Sequence, residues 1–348
     1  MTSSGLFAPA PVLESHSDLY GPFAAAVEAL RAVSCDGLAR VARRTETADP
    51  DDSLQAAASR MGWRKVGVLG VVRDGRLVGA LSEDDLLRVT AERLGELSTL
   101  VANVGDAMIV WQDLLGGLQV HDVMTPASEL AIVGPGFDMV SGLERICAAT
   151  TFGTRFRYLW IVDDAGAVQR VVSIRDMARG LTRLYDGDFP AEGFLDGASA
   201  HDVRYVVAAL LDLSIGTIRT RLALGHGPSG IRIEASGEET VARMWSDRRG
   251  YVLTTQRDGA AQGICTRRDL VRGLRDPFAD LGDLRVANLM TGRVKTVSDT
   301  NTLVGLFKLM AIEGCRHMPL VDASDRVVRM ISMWEALSLF APRRDAAT

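Results

Sequence analysis

Four times along these 348 residues a short phrase returns. Gly79-Ala-Leu-Ser-Glu-Asp-Asp-Leu86, Arg170-Val-Val-Ser-Ile-Arg-Asp-Met177, Gly263-Ile-Cys-Thr-Arg-Arg-Asp-Leu270 and Arg329-Met-Ile-Ser-Met-Trp-Glu-Ala336 each set a hydroxyl residue three positions before an acid. Those hydroxyls are Ser82, Ser173, Thr266 and Ser332. Internal repetition of this kind limits the fold severely. The chain must be built from one small unit used four times, each burying its apolar surface against its neighbours.

The surroundings of each phrase define the unit. Upstream lie apolar, β-prone runs broken by turn residues: VGVLGVVRDGRLV (66–78), RYLWIVDDAGAVQ (157–169), GYVLTTQRDGAAQ (250–262) and RHMPLVDASDRVV (316–328). Two short strands around such a turn predict a β-hairpin. Helix formers follow each phrase, so the Ser or Thr stands where an N-cap belongs. Before each hairpin, residues 51–61, 139–149, 238–248 and 302–314 carry apolar side chains at helical spacing, preceded by a short strand and turn. The unit therefore reads strand, helix, strand, strand, helix. Two near-identical phrases, HDVMTP (121–126) and ANLMTG (287–292), precede units 2 and 4.

Spacing i, i+3 puts the hydroxyl and the acid on one face of the first helical turn. Exposed N–H groups there suit an anion, the hydroxyl can donate to a phosphate oxygen, and a carboxylate can accept from vicinal sugar hydroxyls. The same spacing is also a capping box, which stabilises a helix start with no ligand. Both readings stay open on sequence alone.

The pattern resembles the CBS domain, named after cystathionine β-synthase. It is clearest in VMTP…RYLWIVDD…VVSIRD and LMTG…VKTVSD…RHMPLVD…MISMWE, nearly as clear in the first unit, and weaker in the third. The resemblance implies an α/β (α+β) fold of four β-α-β-β-α repeats, paired by pseudo-two-fold symmetry into two modules, first with second and third with fourth, with extra helices. The units are placed at 41–91, 119–181, 229–276 and 284–341. Around them lie an N-terminal tail and helix (1–40), a helical linker (92–118), a linker with a helix (182–228) and a tail (342–348). The four-unit organisation is similar to that of the γ subunit of AMP-activated protein kinase. The resemblance further implies ligand sites at Ser82 with Asp85, Ser173 with Asp176, and Thr266 with Asp269, the adenine lying against the early strands. Arg175, Arg267, Arg268, Arg316, His317 and Ser332 join them as phosphate-side candidates, and His317, titrating near neutrality, is expected to tune phosphate affinity with pH.

Departures from the family pattern qualify these sites. Glu335 replaces the usual Asp in unit 4, pushing its carboxylate out by a methylene. Arg170 and Arg329 replace the usual Gly and either meet a phosphate or fill the cleft. Trp160 and Gly70 stand where proline is usual, and Trp160 is bulky enough to close a pocket. Units 1 and 3 keep both Gly and Asp and form the better pair, although Glu83, Asp84 and Asp85 make the first phrase acidic and hostile to a polyphosphate.

The rest of the sequence mostly excludes. A net charge of −5 favours no polyanionic partner, so no nucleic acid is expected. The four cysteines are scattered, the histidines form no ligand set, and neither a P-loop nor a nucleophile elbow is present. The N-terminus has no signal-peptide pattern and no apolar run is long enough to span a bilayer, so a cytoplasmic, membrane-free location is expected. Segments 1–40, 92–118 and 182–228 are too short for a catalytic domain, and helices read at 20–33 and 97–115 are expected to pack on the modules or on a second subunit. The expectation is a non-catalytic sensor of an adenosine-containing ligand (AMP, ADP, ATP or S-adenosylmethionine). It needs no cofactor beyond Mg2+ accompanying phosphates, and it signals to a protein partner or its own dimer. The alternatives are an assembly module with plugged clefts and an enzyme with an unrecognised site.

Overall fold

A computed structural model of the chain describes residues 20–41, 45–101, 111–148, 150–151, 154–155, 157–188, 200–219, 222, 227–273, 278 and 280–341. The N- and C-terminal tails read at 1–19 and 342–348 lie outside these residues.

The repeated unit is visible four times. Unit 1 comprises strand Thr47–Ala48, helix Leu54–Arg64, hairpin strands Val68–Arg73 and Arg76–Ser82, and helix Glu83–Val101. Unit 2 has the same order in Ala131–Val133, Met139–Ala148, Tyr158–Val162, Val168–Ser173 and Ile174–Asp186. Units 3 and 4 keep the helix, hairpin and helix: Gly237–Ser246, Tyr251–Thr255, Ala261–Thr266 and Arg267–Gly273, then Leu303–Ile312, His317–Val321, Val327–Ser332 and Met333–Leu337. Their first strands shrink to parallel bridges, Gly230 to Leu253 and Val297 to Leu320.

Local chemistry explains the repetition. Asp74 and Gly75 turn the first hairpin with φ of 52° and 78°, values that Asp tolerates and Gly adopts freely. All four hairpins slip register at the same place, after Val71, Ile161, Thr254 and Leu320. A bulge at an identical point in each unit bends each hairpin the same way. The first helices are capped as their sequences predict: Ser53, Ser236 and Thr302 hydroxyls accept N–H bonds from the first turn, and Asp138 does so with a carboxylate.

Each unit buries two apolar surfaces against two different neighbours. The sheets of units 1 and 2 face each other through Val68, Ala80, Leu130, Tyr158 and Trp160. Those of units 3 and 4 meet through Tyr251, Leu253, Ile264 and Met330. The helices pair differently. Leu54, Met61 and Leu86 of unit 1 share a core with Val241, Met244 and Leu270 of unit 3. Leu143 and Leu181 of unit 2 share one with Leu306, Phe307 and Trp334 of unit 4. The four units thus close a ring in the order 1, 2, 4, 3.

The inserts thicken that ring. Helix Tyr20–Leu30 buries Phe23, Ala26 and Leu30 in the core of units 2 and 4, where Val203, Val207 and Leu210 of helix Ala200–Leu211 meet it. Of the helix read at 97–115, residues 97–101 are helical as the end of Glu83–Val101, which runs past the boundary read at 91, and Trp111–Leu115 is helical with Leu114 and Leu115 buried, while 102–110 lie outside the described residues.

The glycines that open phrases one and three have a packing reason. Thr125–Pro126 adds a strand beside Arg76–Ser82, and Thr291–Gly292 adds one beside Ala261–Thr266. A Cβ on Gly79 would lie 2.6 Å from the Thr125 carbonyl oxygen and 2.7 Å from Met124 Sδ, and one on Gly263 would strike Met290. The conserved-looking phrases VMTP and LMTG and the two glycines are therefore one device. Among the described residues units 2 and 4 have no such third strand beyond the hairpin, and Arg170 sits exposed at that edge. Neither Arg170 nor Arg329 lines either of the two clefts at the unit junctions. Trp160, 1% exposed, fills the interface between sheets 1 and 2, 3.0 Å from where a Gly70 Cβ would stand.

Two glycine substitutions test this packing in opposite directions. Gly79→Ala overpacks against fixed backbone and is expected to lower stability by about 1–3 kcal/mol. Gly95→Ala, in an exposed helical position with nothing within 4 Å of the new Cβ, is expected to raise it by about 1 kcal/mol. Denaturant midpoints at constant slope measure both.

Candidate functional site

All four phrases cap their helices. In every one the acid accepts the backbone N–H of its own hydroxyl residue: Ser82 to Asp85 at 2.8 Å, Ser173 to Asp176 at 2.9 Å, Thr266 to Asp269 at 2.8 Å and Ser332 to Glu335 at 2.7 Å. The capping reading and the ligand reading then separate on the other carboxylate oxygen. Asp85 Oδ1 accepts from Thr125 Oγ1 at 2.9 Å, and Asp269 Oδ1 accepts from Arg272 at 2.6 Å. Burial raises the pKa of both carboxyls against these hydrogen bonds. Asp176 Oδ1 has only Arg179 within ion-pair reach, at 3.7 Å.

Two clefts open where the units meet. The larger, about 690 Å3 counted to its mouth, lies between units 1 and 2. Ser173 and Asp176 form one wall, and Thr45, Val66 and Gly67 lie among the residues that line it, with Arg175, Arg179, Arg268 and Arg316 around it. The smaller, about 320 Å3, is lined by Thr266, Arg267, Arg268, Arg316 and His317 together with Arg157 and Arg175. Ser82, Asp85, Asp269, Ser332 and Glu335 line neither cleft. Of the two pairs expected to be better, the first is buried and fully hydrogen-bonded, and the second presents only Thr266.

Between the clefts sits a polar knot that ties all four units. Glu83 of unit 1 accepts from Arg268 Nε of unit 3 at 3.0 Å and lies 3.5 Å from an Arg316 amino group of unit 4. Arg316 reaches the Tyr158 hydroxyl of unit 2 at 3.4 Å, Arg267 pairs with Asp84, and Arg175 of unit 2 donates to the Gly314 carbonyl of unit 4 at 2.6 Å. The acidic first phrase, read as repelling a polyphosphate, instead supplies counter-ions to arginines of other units. Burial works against the Glu83 charge, but Arg316 and Arg268 outweigh it and hold the carboxyl at about 2. Burial likewise works against the Arg316 charge, and Tyr158 and Glu83 more than offset it, so this guanidinium stays charged. Gly67 makes the knot possible, since a Cβ there would stand 2.9 Å from Arg316 and 3.0 Å from Glu83.

His317 does not behave as read from sequence. It is 7% exposed and stacks on Tyr251 with ring centroids 4.7 Å apart. Burial, then Arg157, Arg267, Arg316 and Arg249, push its pKa well below the ordinary histidine value. This runs against the titration near neutrality expected from sequence.

Tyr158 and Arg157 were not singled out from sequence, and Glu83 was named only as part of the acidic first phrase. The hairpins pair Val68, Tyr158, Tyr251 and His317 with the four hydroxyl residues, so Gly67, Arg157, Gly250 and Arg316 are equivalent positions. Superposing the repeats would have picked out Arg157 from Arg316. Among the described residues no group of three or more His, Cys, Asp or Glu is placed to hold a metal, and no helix is long and apolar enough to cross a membrane.

This ring of hairpin-and-helix units, with clefts at the unit junctions, is similar to that of CBS-domain proteins. The CBS domain family model matches residues 39–92 and 286–341, which are units 1 and 4, and units 2 and 3 repeat their architecture. Among solved structures the chain is similar to a Methanocaldococcus jannaschii protein proposed as an archaeal homologue of γ-AMPK, at 15% identity and a TM-score of 0.66, covering 89% of this chain and 100% of that one. It is also similar to a conserved protein of Pyrococcus horikoshii, at 12% identity and a TM-score of 0.50, covering 87% of this chain and 99% of that one. At these identities the likeness is one of fold. A search of curated proteins finds no match.

The lowered pKa values of His317 and Glu83 set a direction for pH dependence. The unfolded chain takes up these protons at higher pH than the folded one, so stability falls as pH falls. The His317 contribution is full above about 6.5 and is lost below it, and that of Glu83 is full above about 4.3 and is lost towards its folded value. The thermal midpoint is expected to drop between pH 7 and 5, and His317→Gln to flatten that part of the profile in scanning calorimetry.

Proposed function

We propose that this CBS-domain protein is a regulatory sensor that binds an adenosine-containing ligand in the larger cleft, between units 1 and 2. The observation that carries the reading is Asp176 Oδ1, which among the described residues has only Arg179 at 3.7 Å and shares the cleft lining with Arg175, Arg268 and Arg316. A ribose placed at Ser173 and Asp176 directs its 5′ substituent towards Arg175, Arg268 and Arg316, while Val66, Val68 and Val171 offer an apolar face and residues 45–46 offer backbone to a base. The cleft is open to solvent, so a ligand can enter from its mouth. Chemistry points the same way: carboxylate for diol, guanidinium for phosphate.

Regulation follows from which units the ligand would touch. Arg268 belongs to unit 3 and Arg316 to unit 4, so a ligand anchored between units 1 and 2 pulls on the opposite half of the ring. A ligand that binds one ring packing better than another shifts the population between them by its differential affinity. The change passes to a protein partner or to a second copy of the chain.

The test is calorimetry and thermal shift with adenosine, AMP, ADP, ATP and S-adenosylmethionine. At one hundred times its dissociation constant a true ligand stabilises by about 2.7 kcal/mol. Asp176→Asn is expected to weaken binding ten-fold or more, whereas Asp85→Asn lowers stability and leaves affinity within about two-fold. Silence from all five compounds would favour the assembly-module alternative.

A further inference from the structure

The smaller cleft adds arginines, Arg157 and Arg267, that the nucleoside reading does not use. Five arginines line it, Arg157, Arg175, Arg267, Arg268 and Arg316, against the single lining carboxylate of Glu83, with Asp84 paired to Arg267. The excess is three positive charges in a partly enclosed space. Arg157 has no ion pair and no side-chain hydrogen bond among the described residues, and burial, with Arg316 adding to it, lowers its pKa to about 10. Arg175 holds one amino group on Gly314, while its Nε is buried with no partner. Withdrawing guanidinium groups from water without counter-ions is costly, and such groups are normally paired.

The missing partner is not a nucleoside. Asp269, the residue that would hold a ribose here, is turned to Thr266 and Arg272 and does not line the cleft. At about 320 Å3 to its mouth, the space is less than half that of the larger cleft. What remains is a hydroxyl at Thr266, an imidazole at His317 and a fan of guanidinium donors. Planar forks of this kind suit tetrahedral oxyanions.

We infer that the smaller cleft is a second binding site, for a nucleoside-free phosphate-class anion such as inorganic phosphate or pyrophosphate, held by Arg157 and Arg175 with Arg267, Arg268 and Arg316. Glu83 is its internal competitor, since its carboxylate already engages Arg268 and Arg316. The site stands on its own observations and does not depend on the nucleoside reading. Because Arg175, Arg268 and Arg316 line both clefts, an anion here and the charged tail of a ligand in the larger cleft would report on each other.

Isothermal titration of the full chain in chloride buffer at fixed ionic strength, with phosphate and with pyrophosphate, tests the proposal. One equivalent of anion is expected to bind, with the comparison of the two showing which charge the site prefers. Arg157→Gln is expected to weaken binding ten-fold or more. Glu83→Gln is expected to tighten it several-fold, a gain that misfolding cannot produce and that decides the matter alone if Arg157→Gln does not fold. Excess adenosine, which carries no phosphate, is expected to leave anion binding in place. Absence of anion binding, a Glu83→Gln variant that binds more weakly, unaltered affinity in a folded Arg157→Gln, or displacement by adenosine would each overturn it. If all five adenosine compounds fail to bind while pyrophosphate binds, the nucleoside reading falls and this one stands.

Discussion

Each unit of this protein has a hydrophobic sheet face and a hydrophobic helix face, and no single neighbour can cover both. Burial of apolar area is the dominant favourable term in folding, and it is non-directional. Direction comes from geometry. The sheets of units 1 and 2 cover one another, the helices of unit 1 seek unit 3, and the same logic at units 2 and 4 closes the ring. Helices Tyr20–Leu30 and Ala200–Leu211 then seal the core of units 2 and 4. The clefts and the charged knot exist only because four helix starts are brought to shared junctions by that closure.

The knot itself is an expensive way to join four units. A buried ion pair is often no more stabilising than apolar residues of the same shape, because desolvation offsets attraction. Glu83 with Arg268 and Arg316, and Asp84 with Arg267, therefore give little reason in stability for five arginines to converge. A positive excess held at the meeting point of all four units makes better sense as a means of receiving anions. Coupling is built in, because the same guanidinium groups line both clefts.

Much of the fold was legible in the sequence. Period-two hairpins, tight turns with a positive-φ residue and hydroxyl caps are local, and all three recur in each unit at matching positions. The pairing of adjacent units followed from the resemblance. The helical contacts between units 1 and 3, and between 2 and 4, were not legible, since they join segments nearly two hundred residues apart with no sequence mark of partnership. The site was less legible than the fold. Four hydroxyl–acid pairs looked alike, yet Asp85 and Asp269 are closed by Thr125 and Arg272 while Asp176 Oδ1, among the described residues, has only Arg179 at 3.7 Å. Arg170 and Arg329 replace glycine outside both described clefts, and among the described residues it is units 1 and 3 that have a neighbouring strand requiring the glycine.

By itself, then, the sequence determined the repeating unit, its turns and its caps, because these depend on residues within a few positions of one another. Tertiary structure decided which hydroxyl–acid pair lines a cleft, that the His317 pKa is lowered and that Glu83 faces arginines from two other units. Those outcomes depend on solvent exclusion and on charges contributed from distant parts of the chain, and neither quantity exists until the ring has closed.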